Sequence, residues 1–487
     1  MKRAVTLLAL LAVMPTTAGA QEEGDVRLVL LQQTPSATPE RPFQIRVGAL
    51  NESPAIYEDL QLTVAVYSAT GSRSEYEQTL TTGSVSPQAA ETRSVRGSIA
   101  SGEGRSFPPI ELPLTGFAVN ALHPVTVELR ADGGVTPLAV LRTSVVFVAT
   151  TPEVPLNVSV SFVIDQPIRL RPDGVLLDDT LERSLAPGGR LTTIVGALES
   201  VPVPVTLAFS PLLLEEVRRM ADGYRIQEGG GLRTVEPGQA GASAAADMLE
   251  RLRALVRQTG TEVVALPYAS PSIPALTDAG LGTDLRTQID RGKEIVQGVL
   301  GIEPSPTVFR PPGSALSGPA LDVLGLILGG DGQTEALLVD PEVLQPAAGL
   351  TLSPPAVAAL PSAGGEVPAI APDPILENRT ESVPEDPALA AMWTLGELSA
   401  LYFEQPSVDR GAAILISEDE APGIEFLRTL LRGLLPQPAI SFLRPTSATR
   451  VLVAETGPDD PPLEERRIQQ SSRSASVPDD VVSAIER

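Results

Sequence analysis

The sequence predicts a multidomain protein in which a β-sandwich precedes an incomplete barrel of alternating strands and helices. Three observations predict this order. Apolar and polar residues alternate over residues 25–150, short apolar runs alternate with helical stretches over residues 156–453, and a polar, charged segment follows over residues 454–487. Alternation with period two is typical of strands with one buried face. Apolar strands separated by helices indicate parallel strands joined by helical crossovers.

The composition limits the partners that this chain is expected to have. It has 487 residues, of which 43% are hydrophobic, so it can bury sizeable cores. Its formal net charge is −24, which repels phosphate backbones and anionic lipid surfaces. Nucleic acid is therefore not an expected partner. The chain has no cysteine, so disulfides cannot contribute to its stability.

The first twenty residues have the pattern of a signal peptide. Lys2 and Arg3 precede an apolar run over residues 4–14, and small residues follow at 18–20. This order predicts export with cleavage before Gln21. The alternative is an uncleaved anchor, but the run is shorter than the roughly 20 residues that span a bilayer. We therefore expect a secreted or envelope location outside the cytoplasm, with no membrane span after cleavage.

The segment over residues 25–150 is predicted to be an immunoglobulin-like β-sandwich. Residues 43–48, 60–66 and 125–129 alternate apolar with polar side chains, and turn-rich stretches separate them. Several such strands without a helical period are typical of a sandwich of two sheets. The single histidine, His123, stands before a proline at the start of one of these runs. We expect it at the surface or at a strand edge.

The segment over residues 156–453 is predicted to be an incomplete (β/α)7-type barrel, with a doubly wound sheet as the alternative. A proline-containing linker at residues 150–155 precedes it. Helical spacing of apolar residues predicts helices at 244–258, 285–300, 387–403 and 424–435, with Trp393 packed in the core. Seven apolar strands are predicted at residues 158–164, 203–209, 262–266, 307–309, 336–339, 367–370 and 412–416.

The last segment, residues 454–487, is predicted to be a polar, disordered tail. Residues 457–462 are rich in proline and aspartate, and residues 469–476 are rich in serine. Residues 478–487 begin like a short helix, with Asp479 and Asp480 near its amino terminus. This helix has no C-cap signal, so the natural protein is expected to continue beyond it.

The candidate site follows from one rule: active sites of β/α barrels lie at the carboxyl ends of the strands. The rule predicts a site that gathers several carboxylates around an arginine and a tyrosine. The predicted catalytic residues are Asp165, Asp340 and Glu418, and the predicted ligand-binding residues are Arg310, Tyr268, Asp373 and Asp419. The alternative is a solvated rim in which Arg310 braces the barrel by pairing with Asp165 or Asp340.

The Phe-Arg-Pro-Pro-Gly run at residues 309–313 resembles the third sequence block of polysaccharide deacetylases. Together with Asp165 after the first strand, it is similar to the glycoside hydrolase/deacetylase superfamily of incomplete β/α barrels. The resemblance implies a metal held by histidines and an aspartate pair, with the arginine orienting the base. Gln166 stands where the second aspartate is expected, and only His123 is available. We therefore expect no metal and no other cofactor, and we expect metal-dependent deacetylation to be absent.

The barrel also resembles glycoside hydrolase family 57, whose members use no metal. That resemblance implies a nucleophilic glutamate after strand four and an aspartate after strand seven. Arg310 stands where the glutamate is expected, whereas Glu418 or Asp419 could match the second acid. Residues 366–376, 395–401 and 410–416 further resemble a family of exported actinobacterial proteins of unknown function, which implies an envelope setting.

These observations favour an exported cell-envelope protein with a degenerate sugar-active-type barrel. It would bind a cell-wall glycan or an envelope protein without metal catalysis. One alternative is a metal-independent glycosidase or transglycosylase that uses two strand-end carboxylates. A second alternative is a purely structural envelope module.

Overall fold

A computed structural model describes residues 26–84, 86–150, 153–329, 335–346, 352–381, 386–435, 442–457 and 462–469. It shows a mixed α/β protein. The predicted signal peptide and the predicted terminal helix lie outside the described residues. Within the described part of the chain, no helix is long and apolar enough to cross a membrane.

The N-terminal part is built from strands and one helix. The elements are β1 (Val26–Gln33), β2 (Ser36–Ala37), β3 (Phe43–Asn51), β4 (Leu60–Val66), α1 (Arg73–Thr82), β5 (Ala89–Val95), β6 (Gly104–Ser106), β7 (Ile110–Leu112), β8 (Ala121–Arg130) and β9 (Ala139–Phe147).

These strands form two sheets that share one core. One sheet has the order β1-β3-β6, with β7 also paired to β3, and the other has the order β2-β9-β8-β4-β5. All pairs are antiparallel except β2 with β9. Leu28 and Ile45 of the first sheet lie in the same hydrophobic cluster as Val64 and Val127 of the second. The alternating sequence pattern therefore reflects one buried and one exposed face, as in β1 and β4.

The remaining elements alternate strands with helices. They are β10 (Leu156–Ile164), α2 (Thr180–Leu185), α3 (Arg190–Ser200), β11 (Thr206–Phe209), α4 (Pro211–Ala221), β12 (Tyr224–Glu228), β13 (Gly231–Val235), α5 (Ala240–Leu255), β14 (Glu262–Ala265), α6 (Ile273–Asp278), α7 (Gly282–Leu300), β15 (Val308–Phe309), α8 (Gly318–Leu328), β16 (Ala336–Leu338), a 3-10 turn (Pro341–Val343), β17 (Val357–Ser362), β18 (Gly365–Ile370), α9 (Pro374–Glu381), α10 (Pro387–Glu404), β19 (Gly411–Ile416), α11 (Ile424–Leu434), β20 (Leu443–Thr446), α12 (Ala448–Glu455) and β21 (Glu464–Glu465).

Two sheets from these strands curl into a half-barrel. The first has the order β14-β11-β10-β19, with β20 also parallel to β10, and the second has the order β15-β16-β18-β17-β21. The sheets adjoin where the Ser305 amide donates to the Val263 carbonyl at 2.6 Å. Val163, Val264 and Leu338 lie in one interior cluster that both sheets line. The carboxyl ends of several strands therefore face one rim.

Helix α10 joins the half-barrel to the N-terminal sheets. Trp393 is buried and donates from Nε1 to the Arg142 carbonyl at 2.9 Å, which confirms that it packs between elements. A Cβ at Gly396 would lie 2.1 Å from the hydroxyl oxygen of Tyr76. Only glycine therefore lets α10 approach α1 this closely.

His123 is buried, whereas the sequence predicts it at the surface or at a strand edge. It is fully buried in β8, which is paired on both sides by β9 and β4. Its Nδ1 lies 3.0 Å from the Tyr67 carbonyl oxygen, and its Nε2 lies 2.9 Å from the Ala118 carbonyl oxygen. The expectation was wrong because two backbone carbonyls from outside its own strand face the ring, and one of them can accept a hydrogen bond from the nitrogen that carries the proton.

The predicted tail contains regular structure. Helix α12 runs to Glu455, and β21 pairs in parallel with β17. The backbone N–H of Gln345 donates to the Arg467 carbonyl at 2.8 Å, and the backbone N–H of Gln469 donates to the Val343 carbonyl at 2.7 Å. Residues 462–469 therefore lie along the edge of the second half-barrel sheet, whereas residues 470–487 lie outside the described residues.

Candidate functional site

Arg310 is the most deeply buried charged side chain at the rim. It directly follows β15, and only 1% of its surface is exposed. Its Nη2 donates to both carboxylate oxygens of Asp340 at 3.0 and 2.9 Å, and its Nη1 donates to the Leu338 carbonyl at 3.2 Å. Since Leu338 ends β16, Arg310 ties together the ends of two neighbouring parallel strands. Of the two partners predicted for it, Asp340 is the one that it contacts.

Glu418 lies against the same guanidinium. Its Oε2 is 3.6 Å from Nη2 of Arg310, and its side chain is 22% exposed. Within the described residues, this oxygen has no hydrogen-bond partner. Nη2 of Arg310 lies 2.9 Å from Oδ2 of Asp340 and 3.6 Å from Oε2 of Glu418. The separation of these two oxygens therefore cannot exceed the sum of those two distances. The site therefore holds two carboxylates that converge on one cation.

The environment of Asp340 raises its affinity for a proton. Burial raises the pKa of Asp340 above its ordinary value, and the charge of Glu418 acts in the same direction. The guanidinium of Arg310 opposes both effects. Because desolvation is the largest of these effects, Asp340 binds a proton more readily than an exposed aspartate does.

A cleft of about 950 Å³ lies at this rim. Gly313 and Ser314, from the turn after Arg310, line one part of it, and Arg466 and Gln469 line another. Its volume lies in the range of small-molecule binding sites. Six carboxylate residues also line the cleft: Asp340, Glu342, Glu377, Glu418, Asp419 and Glu420. The predicted residues Asp340, Glu418 and Asp419 are thus brought together.

Arg190, the first residue of α3, is a part of this rim that the strand-end rule missed. Its guanidinium donates to the carbonyls of Asp165 at 3.0 Å, Ser417 at 2.7 Å and Glu420 at 2.7 Å. Burial lowers the pKa of Arg190, although the charges of Glu418 and Asp165 oppose this shift. Arg190 therefore fixes the chain after β10 to the chain after β19. It lies on a helix, where no strand pattern marks it.

Asp165 stands at the end of β10 but does not line the cleft. Its Oδ1 accepts a hydrogen bond from the backbone N–H of Gln166 at 2.7 Å, and its Oδ2 accepts one from the Ser270 hydroxyl at 3.3 Å. Ser270 has a φ of 45°, which few residues other than glycine adopt. The structure thus places Asp165 beside the loop after β14. Its catalytic role stays a prediction.

Tyr268 lies in the same loop and also does not line the cleft. Its hydroxyl donates to Oε2 of Glu215 at 2.5 Å, and the guanidinium of Arg291 lies 5.9 Å from its ring centre. The hydrogen bond to Glu215, together with burial, raises the pKa of Tyr268 to about 12. Its role in ligand binding stays a prediction.

Asp373 is held by a residue of the N-terminal part. Nη1 and Nη2 of Arg73 donate to its two oxygens at 2.6 and 2.7 Å. Its Oδ1 also accepts from the amides of Ile375 and Leu376 at the start of α9. Burial acts to raise the pKa of Asp373, but the hydrogen bonds and charge of Arg73 lower it. Asp373 does not line the cleft, and its role in ligand binding stays a prediction.

No group of three or more metal-ligating side chains is placed to hold a metal ion within the part of the chain that the structure describes.

No protein family and no curated protein matches the sequence. Among solved structures, the chain is similar to a 4-alpha-glucanotransferase from Thermococcus litoralis, with 15% identity and a TM-score of 0.44 over 65% of this chain and 40% of the other. It is also similar to a GH57-type branching enzyme from Pyrococcus horikoshii, with 11% identity and a TM-score of 0.43 over 63% and 72% of the two chains.

A third similar structure is a CE4 family pseudoenzyme from Bacillus anthracis. It has 12% identity and a TM-score of 0.30 over 65% of this chain and 70% of the other. All three likenesses are weak in identity and in TM-score. The chain spans less than half the length of the glucanotransferase.

Proposed function

We propose that the cleft binds a glycan without metal catalysis. The observation that carries this proposal is a cleft of about 950 Å³ at the strand ends, with the buried Arg310–Asp340 pair and Glu418 beside it. In this proposal the protein is an exported envelope protein. Its N-terminal sheets form an immunoglobulin-like sandwich, and the half-barrel is an incomplete (β/α)7-type barrel.

The side chains of the cleft match a polyhydroxylated ligand. Carboxylates accept hydrogen bonds from sugar hydroxyls, and the amides of Asn378 and Gln469 can both accept and donate. Six carboxylates around one cavity repel anionic ligands. The ligand class that fits is therefore a neutral or amino-bearing sugar rather than a uronate or a phosphorylated sugar.

The donor set argues against a catalytic zinc of the histidine-bound kind. Such sites use nitrogen and sulfur ligands. The whole sequence has one histidine and no cysteine. That histidine, His123, is buried in β8, with both ring nitrogens at hydrogen-bonding distance from carbonyl oxygens. The resident chemistry of the cleft therefore comes from carboxylates and guanidinium groups.

A second candidate function is metal-independent glycoside hydrolysis. The observation that favours it is the convergence of Asp340 and Glu418 on Nη2 of Arg310. Glycosidases use two carboxyl groups, and one of them has a raised pKa so that it can act as the acid. Asp340, whose pKa is raised by burial, would be the acid, and Glu418 would be the nucleophile or base.

The Glu418→Gln variant separates the two functions. The purified protein would be screened for binding to chitooligosaccharides and α-glucans, with peptidoglycan fragments as a carboxylate-bearing comparison, and the same mixtures would be assayed for new reducing ends. We expect the wild type to bind a glycan without hydrolysing it. Glu418→Gln should weaken this binding about tenfold, since a hydrogen bond to a charged group is worth about 1.5–3 kcal/mol. Glu425→Gln, an exposed change on α11, is the matched control.

Three results would contradict glycan binding without hydrolysis in this cleft. Hydrolysis that Glu418→Gln reduces by about a hundredfold or more would establish the glycosidase, because acid–base groups contribute factors of that size. Binding that is equal in the wild type and in Glu418→Gln would place the ligand outside this cleft. Absence of binding to every glycan would leave an envelope protein as the partner, or a structural role.

Export is a separate part of the proposal, supported by the basic, apolar and small-residue pattern of residues 1–20. The expected mature amino terminus is Gln21. Amino-terminal sequencing of the protein from the culture medium or the cell envelope checks it, and an intact Met1 on the mature protein would contradict cleavage.

A further inference from the structure

Helix α9 forms one wall of the cleft. Pro374, Glu377 and Asn378 line the cavity from this helix. The helix has only eight residues, and isolated helices of this length are marginal in water. Its position must therefore come from contacts with the rest of the protein.

The amino-terminal end of α9 is held by α1 of the N-terminal part. Arg73 donates to both oxygens of Asp373, which in turn accepts from two backbone amides of α9. The same guanidinium donates from Nε to Glu397 of α10 at 2.8 Å. Arg73 and Asp373 are both nearly buried. Such a charge-assisted, bidentate contact is geometrically specific.

The carboxyl-terminal half of α9 is held by the same helix. Glu77 accepts a hydrogen bond from Nη2 of Arg379, which is buried. The guanidinium of Arg379 lies 5.5 Å from the ring centre of Trp393, and its Nη2 lies 3.6 Å from Glu397. Because Arg73 and Glu77 are four residues apart, they project from one face of α1.

We propose that α1 sets the position of this cleft wall, with Arg73 and Glu77 as positioning residues for a ligand in the cleft. In the first contact α1 supplies the cation, Arg73, to Asp373, and in the second it supplies the anion, Glu77, to Arg379. Together the two contacts fix both ends of α9 and its direction. The N-terminal part, through α1, thus helps to set the shape of a cleft to which it contributes no lining residue within the described part of the chain. The part of this proposal that concerns ligand affinity rests on the proposed function.

Hydrogen exchange of the full-length protein tests the positioning directly. Glu77→Gln removes one charge contact and is partly exposed, so we expect the protein to stay folded. The amides of α9 should then exchange roughly fivefold faster or more, as expected for local opening of a segment that has lost an anchor. Glu91→Gln, which breaks an exposed ion pair with Arg93, should leave α9 unchanged.

A charge exchange distinguishes positioning from general weakening. Glu77→Arg alone should speed exchange of α9 strongly, and adding Arg379→Glu should slow it again. Exchange of α9 that is equal in Glu77→Gln and in the wild type, or that rises evenly over the whole chain, would overturn the proposal. So would a double variant that exchanges as fast as Glu77→Arg alone.

Ligand affinity adds a second readout. If a glycan binds the wild type, Glu77→Gln should weaken its binding roughly fivefold or more, in the range of typical coupling between sites, while Glu91→Gln should not. Unchanged affinity despite faster exchange of α9 would overturn the link to the ligand. If no glycan binds any variant, the proposed function fails, and the exchange data still decide whether α1 positions α9.

Discussion

Replacing Arg310 with methionine is expected to lower the free energy of unfolding by about 3–5 kcal/mol, because removing one partner of a buried ion pair leaves the other charge without compensation. Asp340 would be the stranded group, since it is 6% exposed and loses both hydrogen bonds from Nη2. The Leu338 carbonyl would also lose its bond from Nη1. Urea denaturation of both proteins at one pH measures the difference.

Two further variants make this result specific to the charge pair. Arg310→Met combined with Asp340→Asn should recover part of the loss, because the remaining buried group is then neutral. Arg169→Met is the control, since Arg169 is 72% exposed at the side chain and its ion pair is at 3.7 Å. Its effect should stay within about 0.5 kcal/mol. A loss below about 1 kcal/mol in Arg310→Met would contradict the role of Arg310 in holding the rim together.

Glu397 is expected to make the protein less stable as the pH rises from about 4.5 to 8. Three carboxylates, those of Glu77, Asp373 and Glu397, share the guanidiniums of Arg73 and Arg379 in a cluster that is buried except at Glu77. One carboxylate therefore lacks a full counter-charge. Burial, and then the hydrogen bond with Glu77, raises the pKa of Glu397 from 4.5 to about 8.

The sign of the effect follows from proton binding. Between these two pKa values the folded protein keeps the proton on Glu397, while the unfolded chain releases it. The stability that protonated Glu397 contributes is therefore complete below pH 4.5 and is lost as the pH rises through about 8. Burial opposes the shift at Glu77, but Glu397 and Arg379 lower the pKa of Glu77. The stability that ionised Glu77 contributes is thus lost only as the pH falls below the ordinary pKa of a glutamate.

Glu397→Gln tests this expectation because glutamine resembles the protonated acid. Each pH unit can change the stability by up to about 1.4 kcal/mol for each proton. We expect the variant to show a shallower decline between pH 5 and 8, with its largest advantage over the wild type at pH 8. Urea denaturation at each pH measures this, and Glu425→Gln serves as the exposed control. Parallel declines in the wild type and in Glu397→Gln would show that Glu397 does not carry the proton.

Much of the half-barrel could be predicted because its strands are short apolar runs. All seven predicted strand positions hold a strand, and each of the four predicted helices is present within a few residues of its expected bounds. The strands that were missed have weaker local signals. β17 contains Pro361, β20 has four residues including Pro445, and β21 consists of two glutamates. Pairing with a neighbouring strand, rather than side-chain pattern, determines such elements.

The candidate site could be predicted only where strand ends converge. That rule placed Arg310, Asp340 and Glu418 together, because each directly follows or lies just beyond a strand of the half-barrel. It could not show that Asp373 turns to Arg73, a residue 300 positions earlier in the chain. It also could not find Arg190, whose partners are backbone carbonyls rather than charged groups.

The place of β10 in the first half-barrel sheet has a consequence for synthesis of the chain. Asn157 in β10 pairs with Gly411 in β19, so a neighbouring strand is made about 250 residues later. At roughly 5–20 residues per second, this strand emerges about 10–50 s after β10. During that interval β10, all of whose residues are buried in the folded protein, presents an edge of unpaired backbone N–H and C=O groups. A nascent chain that stops before residue 411 would therefore be prone to aggregate through this strand.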